Sequence, residues 1–233
     1  MKIKTVWAVF FSGTGTTEKV ATTVAKTVAQ GLGADYRTFS FNLPEARKDE
    51  LNFTADDLVV LATPVYAGRV PNLLLPYLQE KVKGNGALGI PVVLYGNRNF
   101  DDGLMELKNV MRDNGFHPVA AAAVVGEHSF SRILGAGRPD AEDMALVAKM
   151  AEEAIAKVQA LDAPPAEAIQ VAGCDPIRPY YKPRDREGNV INILKVKPVT
   201  DLPKCGGCGL CARLCPMGSI DPANVADVVG KCI

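Results

Sequence analysis

Five of the chain's six cysteines, Cys205, Cys208, Cys211, Cys215 and Cys232, fall within its last 29 residues. Four of them form an unbroken C-x2-C-x2-C-x3-C-P run that ends at Pro216. Three thiolates at three-residue intervals can wrap the corners of one cubane iron–sulfur cluster, and Gly206, Gly207 and Gly209 let backbone N–H groups approach its sulfurs. Structural zinc is the alternative. Zinc sites usually pair two C-x2-C units at a distance and have no use for the C-x3-C-P ending. A secreted disulfide framework would spread its cysteines through a small domain. Clustering at one end of an otherwise cysteine-poor chain points to metal ligation in a reducing compartment. Cys174 stands apart and reads as a small buried residue.

A second group lies near the start, in Phe11-Ser12-Gly13-Thr14-Gly15-Thr16-Thr17. It follows an apolar run and opens a helical pattern. Hydroxyls of Ser12, Thr14, Thr16 and Thr17, with free N–H groups at Gly13 and Gly15, surround one point at a helix N-terminus, which suits a phosphate dianion. The loop lacks the lysine of a P-loop and the third glycine of a dinucleotide fingerprint. A monophosphate fits better than ATP or NAD. An ordinary Ser/Thr-rich helix cap is the plainer reading.

Positioning these groups requires an alternation of strands and helices. Strands are predicted at Val6–Phe11, Tyr36–Phe41, Leu58–Ala62, Pro91–Tyr95 and Val119–Val125, several as continuous apolar runs typical of parallel strands covered on both faces. Helices are predicted at Thr16–Gln30 with Gly31 as the stop, at Pro71–Val82 with Pro76 straining it, at Asp101–Asn114, and from near Asp140. Trp7 reads as core and His117 as structural. The pattern predicts an α/β fold with a doubly wound five-stranded parallel sheet over residues 1–161. A proline-rich connector follows over residues 162–189, and a short strand at Val190–Val196 opens the cysteine-bearing unit of residues 190–233. The 233 residues suffice for one core of about 150 residues plus a smaller unit.

The Ser12–Thr17 turn resembles the phosphate loop of flavodoxins, which carry FMN where the strand order reverses. Two more loops fall where that family's flavin loops lie. Thr63-Pro64-Val65-Tyr66-Ala67-Gly68 supplies an aromatic ring and backbone groups to the isoalloxazine; Gly96-Asn97-Arg98-Asn99-Phe100-Asp101 supplies close approach at Gly96 and polar groups for the pyrimidine edge. Tyr66 and Phe100 could equally be packing residues, and Arg69 and Arg98 either tune the flavin by charge or are solvated. His128 and Ser129, in the loop after the last strand, could contact flavin, though a structural histidine is the plainer reading.

The whole order resembles a family of flavodoxin–ferredoxin fusion proteins of anaerobic bacteria and archaea. The resemblance implies a flavodoxin-like fold with strand order 2-1-3-4-5, FMN, and a small C-terminal ferredoxin-type segment with two 4Fe–4S clusters in an intact chain. Cys215 would then serve the second cluster. Lys231-Cys232-Ile233 looks like the opening of a second cysteine motif at which the chain stops, so the segment reads as truncated and its clusters as incomplete or absent here. Lys195, Lys197 and Lys204 would favour the reduced cluster if close, with solvated lysines the default.

The 26 basic and 26 acidic side chains cancel, which argues against nucleic acid and weakens steering toward a charged partner. No apolar run approaches the ~20 residues that span a bilayer. The first run is closed by a Gly/Thr loop rather than a cleavage site, so a cytoplasmic location is expected. The function expected is electron transfer between FMN and 4Fe–4S clusters, with redox proteins as partners. An NAD(P)H-dependent FMN reductase acting on quinones, nitro compounds or metals is the alternative, and an interaction protein that has lost its flavin is a third.

Overall fold

In the computed structural model, residues 1–131, 133–191 and 197–233 are described. The alternating burial of the first strand sets the architecture. In β1 (Thr5–Phe10), Val6, Ala8 and Phe10 face one apolar core while Val9, and Phe11 just beyond, face another. A strand buried on both sides belongs in the middle of a sheet covered by helices on both faces. β1 pairs in parallel with β2 (Asp35–Ser40) and β4 (Asp57–Pro64). β4 pairs with β6 (Leu88–Tyr95), and β6 pairs with β7 (His117–Pro118) and β8 (Ala122–Val125). With β7 and β8 counted as one edge position, the order is the expected 2-1-3-4-5. The edge predicted as one strand over Val119–Val125 is interrupted. The Val119 N–H still donates to the Gly89 carbonyl at 2.9 Å, and strand pairing resumes only at Ala122. A two-residue parallel pair, β3 (Leu51–Asn52) with β5 (Val82–Lys83), stands apart from the main sheet.

One face is covered by α1 (Thr16–Leu32) and α4 (Ala141–Gln159), the other by α2 (Leu75–Lys81) and α3 (Gly103–Asp113). Gly31 does not stop α1. The helix continues to Leu32 and ends at Gly33, which takes the left-handed conformation at φ +64°. Gly31 serves packing instead: a Cβ there would lie 2.4 Å from Cδ1 of Ile155 on α4, so a side chain would push the helices apart. The helix predicted over Pro71–Val82 begins only at Leu75. Pro76 then sits in the first turn, where its missing N–H costs nothing. α4 starts as expected beside Asp140, whose carboxylate accepts the N–H groups of Glu142 and Asp143 at 3.0 Å each, while Asp143 accepts from the Asp140 N–H at 2.9 Å.

Beyond α4 the described chain has little regular structure. An isolated bridge joins Arg184 to Val190. The strand predicted over Val190–Val196 falls, from residue 192 on, outside the described residues, as does Lys195. In the cysteine-bearing region a 3-10 turn at Leu202–Lys204 leads to the five-residue α5 (Leu210–Leu214), and a bridge joins Ile220 to Val228.

A candidate ligand cavity and a terminal thiol cluster

The turn between β1 and α1 is held from outside itself. The Ser12 N–H donates to Asn42 Oδ1 at 2.6 Å, Asn42 Nδ2 returns a bond to the Ser12 carbonyl at 2.9 Å, and the Ser12 hydroxyl accepts the Glu18 N–H at 3.1 Å. Ser12 is thereby buried and committed to the turn. The N–H groups of residues 13–17 have no acceptor among the described residues. They gather at the positive end of the long α1, an arrangement that receives an anion. The Thr14 and Thr16 hydroxyls lie 3.4 Å apart at the same place.

This turn forms one wall of a cavity of about 290 Å³ at the carboxyl ends of the strands. That volume is at the low end for small-molecule sites. Gly13, Thr14, Thr16, Thr17, Pro64, Val65, Tyr66 and Gly96, all expected from sequence, line it together. Ser12 and Gly15 lie in the turn without lining it. Thr63 is fully buried at the end of β4, its hydroxyl without a partner among the described residues. Phe100 packs behind the wall, its ring 5.5 Å from that of Tyr95. Gly68, Arg98 and Asp101 line a separate cavity of about 160 Å³ alongside, where Arg98 pairs with Asp101 and stacks over Tyr181 at 4.6 Å. Asn97 lies in the same loop as Arg98 and outside both linings. Arg69 is neither at the larger cavity nor solvated: it pairs with the buried Glu106 and lies 4.2 Å over the Tyr180 ring.

Backbone geometry sets the two ligand loops apart. Ala67, Asn97 and Asp101 adopt φ of +51°, +67° and +41°, a region that side chains usually avoid and that concentrates at functional sites. At Gly68, with φ +83°, a Cβ would come 2.5 Å from Asp101 Oδ2, so glycine lets these two loops touch. Burial, with the nearby Cys232, raises the Tyr66 phenol above its ordinary pKa, so the side chain meets the cavity as a neutral hydroxyl.

Sequence reasoning missed several lining residues. Tyr180 arrives from the connector. Its hydroxyl donates to the Val70 carbonyl at 2.8 Å, and burial pushes its pKa up to about 12. Phe130 enters from the loop after β8, and Ile233 from beside the cysteines. Tyr180 and Ile233 carry no local signal, because the fold brings each in from a distant segment, whereas Phe130 lies in the loop already singled out at His128 and Ser129. Cys232, expected only as a metal ligand, also lines this cavity, beside Tyr66.

All six cysteines are free thiols. Cys174 is exposed rather than buried: its N–H donates to Asp102 at 2.9 Å, leaving the side chain outside. Cys205, Cys208 and Cys211 are exposed around the start of α5, and Cys215 closes it, accepting the Ser219 N–H at 3.3 Å. Among the described residues no three His, Cys, Asp or Glu side chains converge at the spacing of a single metal ion. The corners of a cubane lie farther apart than the ligands of one ion, and an all-thiol donor set suits iron and sulfide. A Cβ on Gly206 or Gly207 would meet nothing within 4 Å, so the ground between the thiols is open. Lys204 pairs with Asp201 at 2.7 Å, and Lys197 donates to the Val228 carbonyl at 2.8 Å.

Residues 198–221 match a family model described as a 4Fe-4S binding domain, a span that contains Cys205, Cys208, Cys211 and Cys215. The apo form of an NADH:FMN oxidoreductase superposes with a TM-score of 0.50 at 17% identity, covering 69% of this chain and 92% of that one, and shows the shared flavodoxin-like fold. A flavodoxin from the domain Archaea (TM-score 0.49, 13% identity, 67% and 99% covered) and one from Streptococcus pneumoniae TIGR4 (0.46, 21%, 66% and 99%) are also similar. No curated relative matches the sequence.

Proposed function

We propose that the chain is an electron-transfer protein, with FMN in the strand-end cavity and 4Fe–4S iron–sulfur at the terminal thiols. The observation that carries this reading is the turn of residues 13–17: five N–H groups without an acceptor among the described residues, at a helix N-terminus, opening into a cavity bounded by the other two expected flavin loops. Its partner observation is the 4Fe-4S match over residues 198–221. Together they favour the arrangement of the flavodoxin–ferredoxin fusion family, with units at residues 1–161, 162–189 and 190–233.

FMN exchanges one or two electrons and a 4Fe–4S cluster one, so the pair links two-electron to one-electron chemistry. The residues of this chain bind and tune. The N–H groups of residues 13–17 and the hydroxyls of Thr14, Thr16 and Thr17 hold the phosphate. Pro64, Val65, Tyr66 and Gly96 flank the ring. Cys205, Cys208 and Cys211 grip one cluster, and Cys215 and Cys232 supply thiolates beyond it. Cys232 beside Tyr66 brings the thiol end of the chain to the cavity wall, which shortens the route between the two groups. Redox proteins in the cytoplasm are the partners of this reading. No described helix is long and apolar enough to cross a membrane.

The test is an anaerobic absorption spectrum of the purified full chain with FMN, iron and sulfide quantified. Flavin bands over a broad iron–sulfur shoulder are expected. Zinc at the thiols, or a chain without affinity for FMN, would overturn the reading.

A further inference from the structure

His128 lines the cavity, and its ring is oriented by a hydrogen bond to one of its two nitrogens. The Phe130 N–H donates to Nδ1 at 3.1 Å, so Nδ1 carries no proton and the ring proton resides on Nε2. The ring is held on two further sides. It packs on Gly96, where a Cβ would come 2.8 Å from the imidazole Cδ2, and the Phe130 ring lies 5.9 Å away. The His128 N–H donates to the Leu134 carbonyl at 3.0 Å, and the Glu127 N–H to the Arg138 carbonyl at 3.0 Å, which anchors the loop that carries it. Nε2 has no partner among the described residues. The result is a cavity-lining residue with one N–H donor left uncommitted among the described residues, beside the glycine expected to let the flavin approach.

We propose that His128 is a flavin-binding residue whose Nε2–H donates to the pyrimidine part of the ring and favours its reduced, anionic form. This rests on the FMN reading above. A hydrogen bond to an ionised acceptor is stronger than one to a neutral acceptor, by enough for roughly a tenfold preference for reduced over oxidised flavin. A tenfold preference is about 30 mV in a two-electron couple.

Two substitutions separate this role from support of the loop. In His128→Asn the side-chain oxygen can replace Nδ1 as acceptor for Phe130, but nothing reaches the place of Nε2. In His128→Gln the longer amide returns an N–H near that place. The measurements are the dissociation constants of oxidised and reduced FMN for the full chain and both variants, with the flavin midpoint potential. The asparagine variant is expected to lose about tenfold more affinity for reduced than for oxidised FMN, and the glutamine variant to recover most of it. Equal affinities and an unmoved potential in both variants would overturn the proposal, as would an equal loss in both oxidation states. If the unaltered chain binds no FMN, the flavin reading falls and this proposal with it; unmoved variants in a chain that does bind FMN sink this proposal alone.

Discussion

Thr14 and Thr16 place two hydroxyls 3.4 Å apart above five uncommitted N–H groups, and neither threonine is needed to hold the turn, a task left to Ser12 and Asn42. Removing both hydroxyls should therefore weaken phosphate binding without unfolding the protein. The variant Thr14→Ala with Thr16→Ala is expected to bind FMN ~10²- to 10⁴-fold more weakly, at about 1.5–3 kcal/mol for each of the two hydrogen bonds to a charged acceptor. Riboflavin, which has no phosphate, should bind it as it binds the unaltered chain. Isothermal titration with the two ligands checks this. Ser12→Ala is expected to differ in kind, since its hydroxyl accepts the Glu18 N–H: it should lower the unfolding midpoint as well as affinity. The turn was legible in the sequence because its chemistry is contiguous. Tyr180 and Ile233 were not, since nothing local distinguishes them until the chain folds back on itself.

One carboxylate gathers several of the connector's attachments. Asp102, buried at the start of α3, accepts from the Arg178 guanidinium, from the Arg178 N–H at 2.9 Å and from the Cys174 N–H at 2.9 Å. The Arg178 pair holds its pKa well below the usual carboxylate range, the two N–H groups add to this, and burial opposes it. A depressed pKa means stability that is complete above the unfolded value of about 3.9 and fades as pH falls below it. Asp102→Ala should thus destabilise by ~1–3 kcal/mol at neutral pH, little of it from the ion pair itself because Arg178 is largely solvated. It should also expose residues 162–189 to protease, and the penalty should shrink as pH approaches 3. Urea unfolding at several pH values checks the sign. Gly31 gives a second test between elements. Gly31→Val is expected to cost ~1–3 kcal/mol by overpacking against Ile155, and adding Ile155→Ala should recover part of it. The sequence marked Gly31 as a helix stop because glycine ends helices as often as it lets them approach. Only the neighbouring helix decides which role it takes, just as the placement of Pro76 within a helix depends on where the first turn forms.

Across the molecule, the layering was legible because double-sided burial writes itself into a strand as a continuous apolar run, seen at β4 and β6, whereas the strand order was expected only from the family resemblance. The edge interrupted between Val119 and Ala122 was less legible, because an edge strand tolerates breaks that a central one does not. The meeting of the thiol end with the cavity was not legible at all. It depends on contacts such as Arg47 to the Pro216 carbonyl, which joins segments far apart in sequence, and the Ser219 hydroxyl to the Lys231 carbonyl at 2.6 Å, which folds the last residues back within the cysteine-bearing region. The Arg47 contact ties that region to the part of the chain that carries the sheet, so an electron should pass between the two groups within one molecule. The most direct measurement injects a single electron by pulse radiolysis into the anaerobic, FMN- and iron-loaded full chain and follows flavin and iron–sulfur absorption together. Redistribution at a first-order rate independent of protein concentration is the expected result. A rate that rises in proportion to concentration, or an electron that never leaves the group it first reaches, would contradict it.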